Sequence, residues 1–315
     1  MKHIILGATL FATSVSALAG EAIDSRMDAD GIRTLNLIVP RGDVTLTGGD
    51  HNQISIRGEL DDQAERWVFE RDGDTLVAEV KMPRNWRGNN DGSRLTVTLP
   101  SSIRFKGEGV STDFNLANLQ RGLKINNVSG DISLERIQGE IDVEVVSGDI
   151  KAHELSGEIE LETVSGDIDA SGHQGSGSYE SVSGNVTLAR GGHEVEVENV
   201  SGDIQLSLDR VRELDVTSVS GDIQVTVAAL DTGAELEFET VNGDTSLALP
   251  GDASVRVRLE TGPGGDISNS LTQDQPNRGK HVATEKLHFD HNGGNAKVEM
   301  QTVNGSLSLS PLSLK

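Results

Sequence analysis

The feature that most constrains this chain is a short phrase that returns at a fixed interval. VSGDI occurs at Val128–Ile132, Val146–Ile150, Val164–Ile168, Val200–Ile204 and Val219–Ile223, with VSGNV at Val182–Val186 and VNGDT at Val241–Thr245. The central glycines Gly130, Gly148, Gly166, Gly184 and Gly202 are 18 residues apart, Gly221 follows after 19 and Gly243 after 22. A weaker echo, Gly139 in IQGEI, Gly157 in LSGEI and Gly175 in HQGSG, lies nine residues from its neighbours. A period of this length marks stacked units that have no core of their own and bury apolar surface only against the next copy.

Between the glycines the hydrophobic period is two. Gly130 is followed by Asp131, Ile132, Ser133, Leu134 and Glu135, and Gly139 by Glu140, Ile141, Asp142, Val143 and Glu144. That alternation, rich in β-branched residues, specifies strands, whereas a helix needs apolar spacing of three and four. The sequence predicts an all-β fold: a single-stranded parallel β-helix or β-roll-like solenoid with coils of about 18 residues, each holding two short strands and their turns. Stacking aligns Val128, Val146, Val164, Val182 and Val200 in one column and Ile132, Ile150, Ile168, Val186 and Ile204 in a second. A third column runs Leu134, Ala152, Ala170, Leu188 and Leu206; Ile141 falls over Ile159, and Val143 over Leu161. Parallel pairing in register, at about 4.8 Å per coil, makes seven or eight coils a rod of roughly 35–40 Å.

The turn chemistry follows. Ser-Gly is expected to bend the chain between an inward Val and an inward Ile, with Gly in an open backbone conformation. The next residue is Asp131, Asp149, Asp167, Asp203, Asp222 or Asp244, with Asn185 in the same column. Its side chain is expected to accept hydrogen bonds from nearby backbone N–H groups in an Asx-type arrangement, a role Asn185 fills equally well.

Composition agrees with a narrow interior: 35% of residues are apolar and only 3% aromatic. No cysteine is present, which excludes a disulfide framework and a lipidated cysteine. Lys and Arg number 27 against 50 Asp and Glu, a net charge of -23. Phosphate backbones and anionic lipid favour basic surfaces, so nucleic acid is not an expected partner, while cations and basic proteins are compatible.

Residues 1–19 read as a signal peptide: Met1-Lys2-His3, an apolar stretch from Ile4 to Leu18, and Ala17-Leu18-Ala19 as the cleavage pattern. The expected destination is periplasmic or secreted, with no integral membrane segment after cleavage. Residues 20–100 are expected to form an N-terminal β region, continuous with the solenoid and capping it. Residues 101–310 form the solenoid proper, with a lateral loop around 269–284 where the pattern lapses, and 311–315 a tail. QTVNGSLSLS at Gln301–Ser310 restates the repeat.

The spaced SGDI units, the leader and RGDVTLTGGD at Arg41–Asp50 resemble a bacterial "putative adhesin" domain family of β-solenoid proteins, a domain of unknown function. The similarity covers about Ile32 to Leu309. It implies a parallel β-helix or roll; it implies no catalytic residue and no defined ligand.

The search for chemistry gives little. Calcium β-rolls repeat GGxGxDxUx, which VSGDI does not match, and one carboxylate per turn falls short of a calcium shell. There is no HExxH, no GxSxG and no phosphate-binding loop. His281, His288 and His291 are the densest histidines but lack metal-site spacing. No catalytic, cofactor or metal residues are assigned, and no cofactor is expected. Arg41-Gly42-Asp43 reads as turn chemistry, not as a cell-adhesion motif. Trp86 and Arg87, in the polar stretch 83–93, are the candidate interaction residues, since an exposed aromatic and an arginine can anchor a partner. The leading reading is a non-enzymatic exported envelope protein that presents a solenoid surface, adhesin-like, to an envelope protein or glycan. The second is a polysaccharide-active β-helix enzyme using carboxylates at non-repeat loops. The sequence sets no oligomeric state.

Overall fold

The structure, a computed structural model, describes residues 20–86, 92–279 and 284–312. All regular structure among them is β, in 26 strands hydrogen-bonded into one continuous sheet. The proposed leader, 1–19, lies outside the described residues.

Through the repeats the pairing is parallel and in register. One ladder joins Ile132, Ile150, Ile168, Val186, Ile204, Ile223 and Thr245. The other joins Ile141, Ile159, Gly177, Val195, Leu214 and Leu236. The chain winds between the two ladders, and the aliphatic columns on their inner sides are buried. Each coil thus completes the core of its neighbour, which explains how a chain so poor in aromatics folds.

The filling of the core is mainly aliphatic, with Phe105, Phe114, Phe238 and Phe289 among the exceptions and one polar aromatic pair. Gly177 stands where neighbouring coils carry Ile159 and Val195, and the space is taken by His173 and Tyr179. Both are buried, and the Tyr179 hydroxyl lies 2.8 Å from His173 Nδ1.

At both ends the order of coils in space departs from their order in the chain. Val44 pairs with both Leu95 and Phe114, so the strand Thr34–Gly49 lies between two segments that follow it in sequence. At the other end Phe238 pairs with Met300, which pairs with Leu259. The last coil, Ala296–Pro311, is therefore inserted inside the coil that begins at Val255. Both ends are then finished by antiparallel strands. Arg66–Asp72 lies on Thr75–Lys81, Gln53–Glu59 on Ser93–Pro100, and Ala22–Asp28 on Gln53–Glu59. Glu285–His291 lies on Val255–Thr261, and Asn277–Arg278 on Glu285–His291. Antiparallel additions of this kind occupy strand edges that could otherwise template further stacking.

A buried carboxylate pins each end. Asp61 pairs with Arg41, both nearly inaccessible at 3% and 6% exposure, and also accepts the Gln63 N–H at 2.8 Å. Burial alone would raise the Asp61 pKa; the Arg41 hydrogen bond and the Gln63 N–H outweigh it and hold the group below the carboxylate range. Glu285 accepts the Ile267 N–H at 2.8 Å and Arg278 Nε at 2.8 Å, which likewise lower its pKa.

Two turn expectations need correction. The column Val110, Val128, Val146, Val164, Val182, Val200, Val219, Val241 and Val303 does not face inward: these residues are 42–52% exposed. Alternation carried along the long strand explains why. Ile159, Leu161 and Thr163 point in, so Val164 points out. The inner position before most of these turns is held instead by a buried polar residue, Asn127, Thr163, Ser181, Asn199, Ser218, Thr240 or Thr302, and before Val146 by the buried Val145. Several of these donate to glycine carbonyls of the turns: Thr163 Oγ1 to Gly148 O at 3.2 Å, Ser181 Oγ to Gly166 O at 3.3 Å, and Asn199 Nδ2 to both Gly184 O and Gly202 O at 3.0 Å. Where these bonds form they satisfy turn carbonyls that would be costly to leave bare, which favours a polar side chain at the inner position, although Val145 shows that an apolar one also fits there.

The aspartate also differs from a local Asx turn. Its carboxylate accepts from the backbone N–H of the equivalent residue one coil on: Asp149 N to Asp131 Oδ1 at 3.0 Å, Asp167 N to Asp149 Oδ1 at 2.9 Å, and Asn185 N to Asp167 Oδ1 at 2.7 Å. The series continues through Asp203, Asp222 and Asp244 to Ser306. It is a ladder between coils, beside the backbone ladder.

Candidate interaction face

The outward side of the long strands carries three columns of carboxylates. Glu140, Glu158, Glu194, Glu213 and Glu235 form the first; Asp142, Glu160, Glu196, Asp215 and Glu237 the second; Glu144, Glu162, Glu180, Glu198 and Glu239 the third. The exceptions within these rows are Ser176, Ser178 and Thr217, and no Lys or Arg interrupts them. Bases flank the block instead, and one, Arg212, pairs with Glu194 inside it. Arg104 donates to Glu140 at 2.8 Å, and Lys124 reaches Asp142 at 2.5 Å and Glu144 at 3.1 Å. Beyond the other margin lie Lys297, Arg256 and Arg258.

In the middle the carboxylates crowd one another. Glu162 has its pKa raised to about 7, first by partial burial, then by a hydrogen bond that the protonated Glu162 donates to Glu160 and by the charges of Glu180, Glu160 and Glu144. Burial and neighbouring carboxylates also raise Glu180 and Asp215. Strands about 4.8 Å apart leave like charges no room to separate. The other ladder shows that this is not a property of the whole surface. Its outward column, Ser133, Lys151, Asp169, Thr187, Gln205, Gln224 and Ser246, is close to neutral.

The nine exposed valines border the third carboxylate column. Glu162 and Val164 both point outward from one strand with Thr163 turned in between them. A groove of about 520 Å³ follows this border, lined on one side by Glu144, Glu162 and Glu180 and on the other by Val128, Val146, Val164 and Val182. A second hollow of about 550 Å³ opens over Ser176, Gly177 and Ser178, where two acidic side chains are replaced by serine. Among the described residues no group of three or more His, Cys, Asp or Glu is placed to hold a metal ion. Nor is any helix there long and apolar enough to cross a membrane.

The residues singled out from sequence fall elsewhere. Trp86 is half-buried, its ring centre 5.1 Å from the Arg41 guanidinium, which ties it to the buried Arg41–Asp61 pair. Arg87 lies outside the described residues. Arg41, Gly42 and Asp43 occupy the Ser, Gly and Asp columns of the repeat corner, so this triplet is a first copy of the turn with its arginine buried. His288 Nδ1 lies 3.0 Å from Val257 O, and His291 Nε2 lies 3.2 Å from Gly251 O. His281 lies outside the described residues. The alternation read after Gly139 already sets Glu140, Asp142 and Glu144 on one side of a strand, opposite Ile141 and Val143. Sequence reasoning missed the valine ladder, which strict counting of the period from Ile141 would have turned outward.

Comparison with known proteins returns no match among curated sequences. Several solved structures span nearly the whole chain. A "putative adhesin" from Bacteroides fragilis shares 12% identity and covers 92% of this chain and 97% of its own, with a TM-score of 0.42. One from Parabacteroides distasonis, also called a "putative adhesin", shares 13% identity over 93% and 98%, TM-score 0.40. A protein from the same organism described as a "Putative lipid binding protein" shares 13% identity over 93% and 98%, TM-score 0.34. The family Toastrack DUF4097 matches over residues 32–231 and again over 175–310, which together span nearly all of the repeat and its N-terminal extension. This chain, with its stacked SGD corners and end-capped β-solenoid, belongs to the Toastrack DUF4097 family.

Proposed function

We propose that this protein is an exported, non-enzymatic envelope component whose adhesin-like role is to present one face of a β-solenoid, of about 18 residues per coil, to another macromolecule. The observation that carries this is the asymmetry of the surface. Carboxylates in excess of the bases that reach them, and exposed valines, are concentrated on one ladder, while the opposite column is close to neutral. Fold stability requires neither feature, and large aligned apolar surface on a soluble protein marks an interaction site. A polysaccharide-active enzyme would need carboxylates of matched pKa at the non-repeat loops. The raised carboxylates Glu162, Glu180 and Asp215 lie in repeat columns instead. Trp86 belongs to this proposal as a secondary contact, with Arg87, its neighbour in sequence, as its expected companion. Export through the leader places the protein in the periplasm or outside the cell.

The test is capture from envelope extracts and a glycan array by the mature protein, alongside a variant with Glu144, Glu162 and Glu180 changed to Gln. Retention of a specific partner by the wild type, and its loss in the variant, supports the reading. Capture of nothing by the wild type removes it.

A further inference from the structure

The two halves of the face point to one kind of partner. We propose that the groove between the third carboxylate column and the valine ladder binds a cationic amphipathic helix lying along the solenoid axis. This names the partner of the surface proposed above and rests on that reading.

The apolar half is continuous. Nine valines from Val110 to Val303 stack at successive coils, half-exposed at every level. At about 4.8 Å per coil the ladder is roughly 38 Å long, the length of a helix of about 25 residues at 1.5 Å rise. A helix repeats its apolar stripe every ~5.4 Å, close enough to the coil spacing to stay in step over three or four turns. The acidic half runs parallel to it, with Glu162 and Val164 two residues apart on one strand. A helix about 10 Å wide therefore meets valines with one edge and carboxylates with the next.

Charge decides among the occupants. A second copy laid face to face would oppose carboxylate to carboxylate, and anionic lipid and nucleic acid are repelled in the same way. The three columns and the ladder carry no outward aromatic ring on which a sugar could stack. Lysine and arginine on the partner would favour the charged state of the crowded Glu162 and Glu180, which no base of this chain reaches in any hydrogen bond or ion pair found among the described residues. Valine in place of a polar residue at an exposed corner would otherwise have to be explained by backbone preference alone. Threonine has the same branching, which makes the two explanations separable.

The test uses the mature protein and a synthetic Leu/Lys helix of about 20 residues with one apolar stripe, read by fluorescence anisotropy over a salt series. A scrambled peptide of the same composition is the control. Wild type is expected to prefer the amphipathic peptide by about tenfold or more in Kd. Val146→Thr/Val164→Thr/Val182→Thr should lose that preference while keeping the salt dependence. Glu144→Gln/Glu162→Gln/Glu180→Gln should weaken both peptides and flatten the salt dependence. Equal binding of both peptides by the wild type, or an unchanged preference in the threonine variant, would overturn the inference. Either result leaves capture of an envelope partner by the wild type standing, so the two failures are distinguishable.

Discussion

The backbone N–H of Asn185 donates to Asp167 Oδ1 at 2.7 Å, one coil away, and Asn185 Oδ1 in turn accepts the N–H of Asp203 at 2.9 Å. The acceptor need not be charged, since the ladder passes through Asn185 unbroken. Asp167→Asn should therefore cost little, whereas Asp167→Ala leaves the exposed Asn185 N–H to water and should cost about 0.5–1.5 kcal/mol. Urea unfolding of the two variants checks the difference.

The turn glycines answer to a steric demand. A Cβ on Gly202, whose φ is +136°, would lie 2.2 Å from the carbonyl oxygen of Gly184 in the preceding coil. Gly202→Ala must push two coils apart at the corner and should destabilise by roughly 3 kcal/mol or more. Gly233→Ala is the control: its φ of +77° is also left-handed, but nothing lies within 4 Å of the added carbon, so it should cost only about 1 kcal/mol.

His173 sets an acid limit. Burial holds its pKa down to about 4, below the ordinary 6.5. The unfolded chain takes up a proton between these values and the folded one does not, so this contribution to stability is lost as pH falls from about 6.5 to 4. The double variant His173→Leu/Tyr179→Phe should lose less in melting temperature than the wild type across that window.

Glu162 acts in the opposite sense. Its folded pKa of about 7 lies above the ordinary 4.5, so the folded chain holds the extra proton and gains stability as pH falls from about 7 to 4.5. Glu162→Gln should raise the melting temperature near pH 8 and reduce the gain seen on moving to pH 5.

At the N-terminal end, Asp61→Asn would leave the Arg41 guanidinium buried without its counter-charge. Loss of about 3–5 kcal/mol is expected, with protease cleavage confined at first to residues before Arg104.

The fold was legible because its signals were periodic. The 18-residue interval of Gly130 to Gly202 and the alternation after each glycine specify parallel strands, and the structure pairs them in that register. Two things escaped. Val164 was read as core because it is apolar, although its neighbour Thr163, polar but needed for Gly148 O, holds the inner position. The reversed order of coils at the ends escaped because Met300 pairs with Phe238 and Leu259, a relationship carried by tertiary packing that no local pattern encodes. The acidic side of the face could be read from the triplets Glu140-Asp142-Glu144 and Glu158-Glu160-Glu162; its apolar border could not until Val164 was seen to point outward.

The central claim is that the long-strand face, and not the solenoid surface in general, meets the partner. Photo-crosslinking tests it most directly, with a reactive side chain placed at Glu162 or Val164 and, on the opposite ladder, at Lys151 or Asp169. Crosslinking in envelope extracts to one discrete species from the first pair and not from the second is the predicted result. Equal labelling from both faces, or labelling only from Lys151 and Asp169, would contradict it.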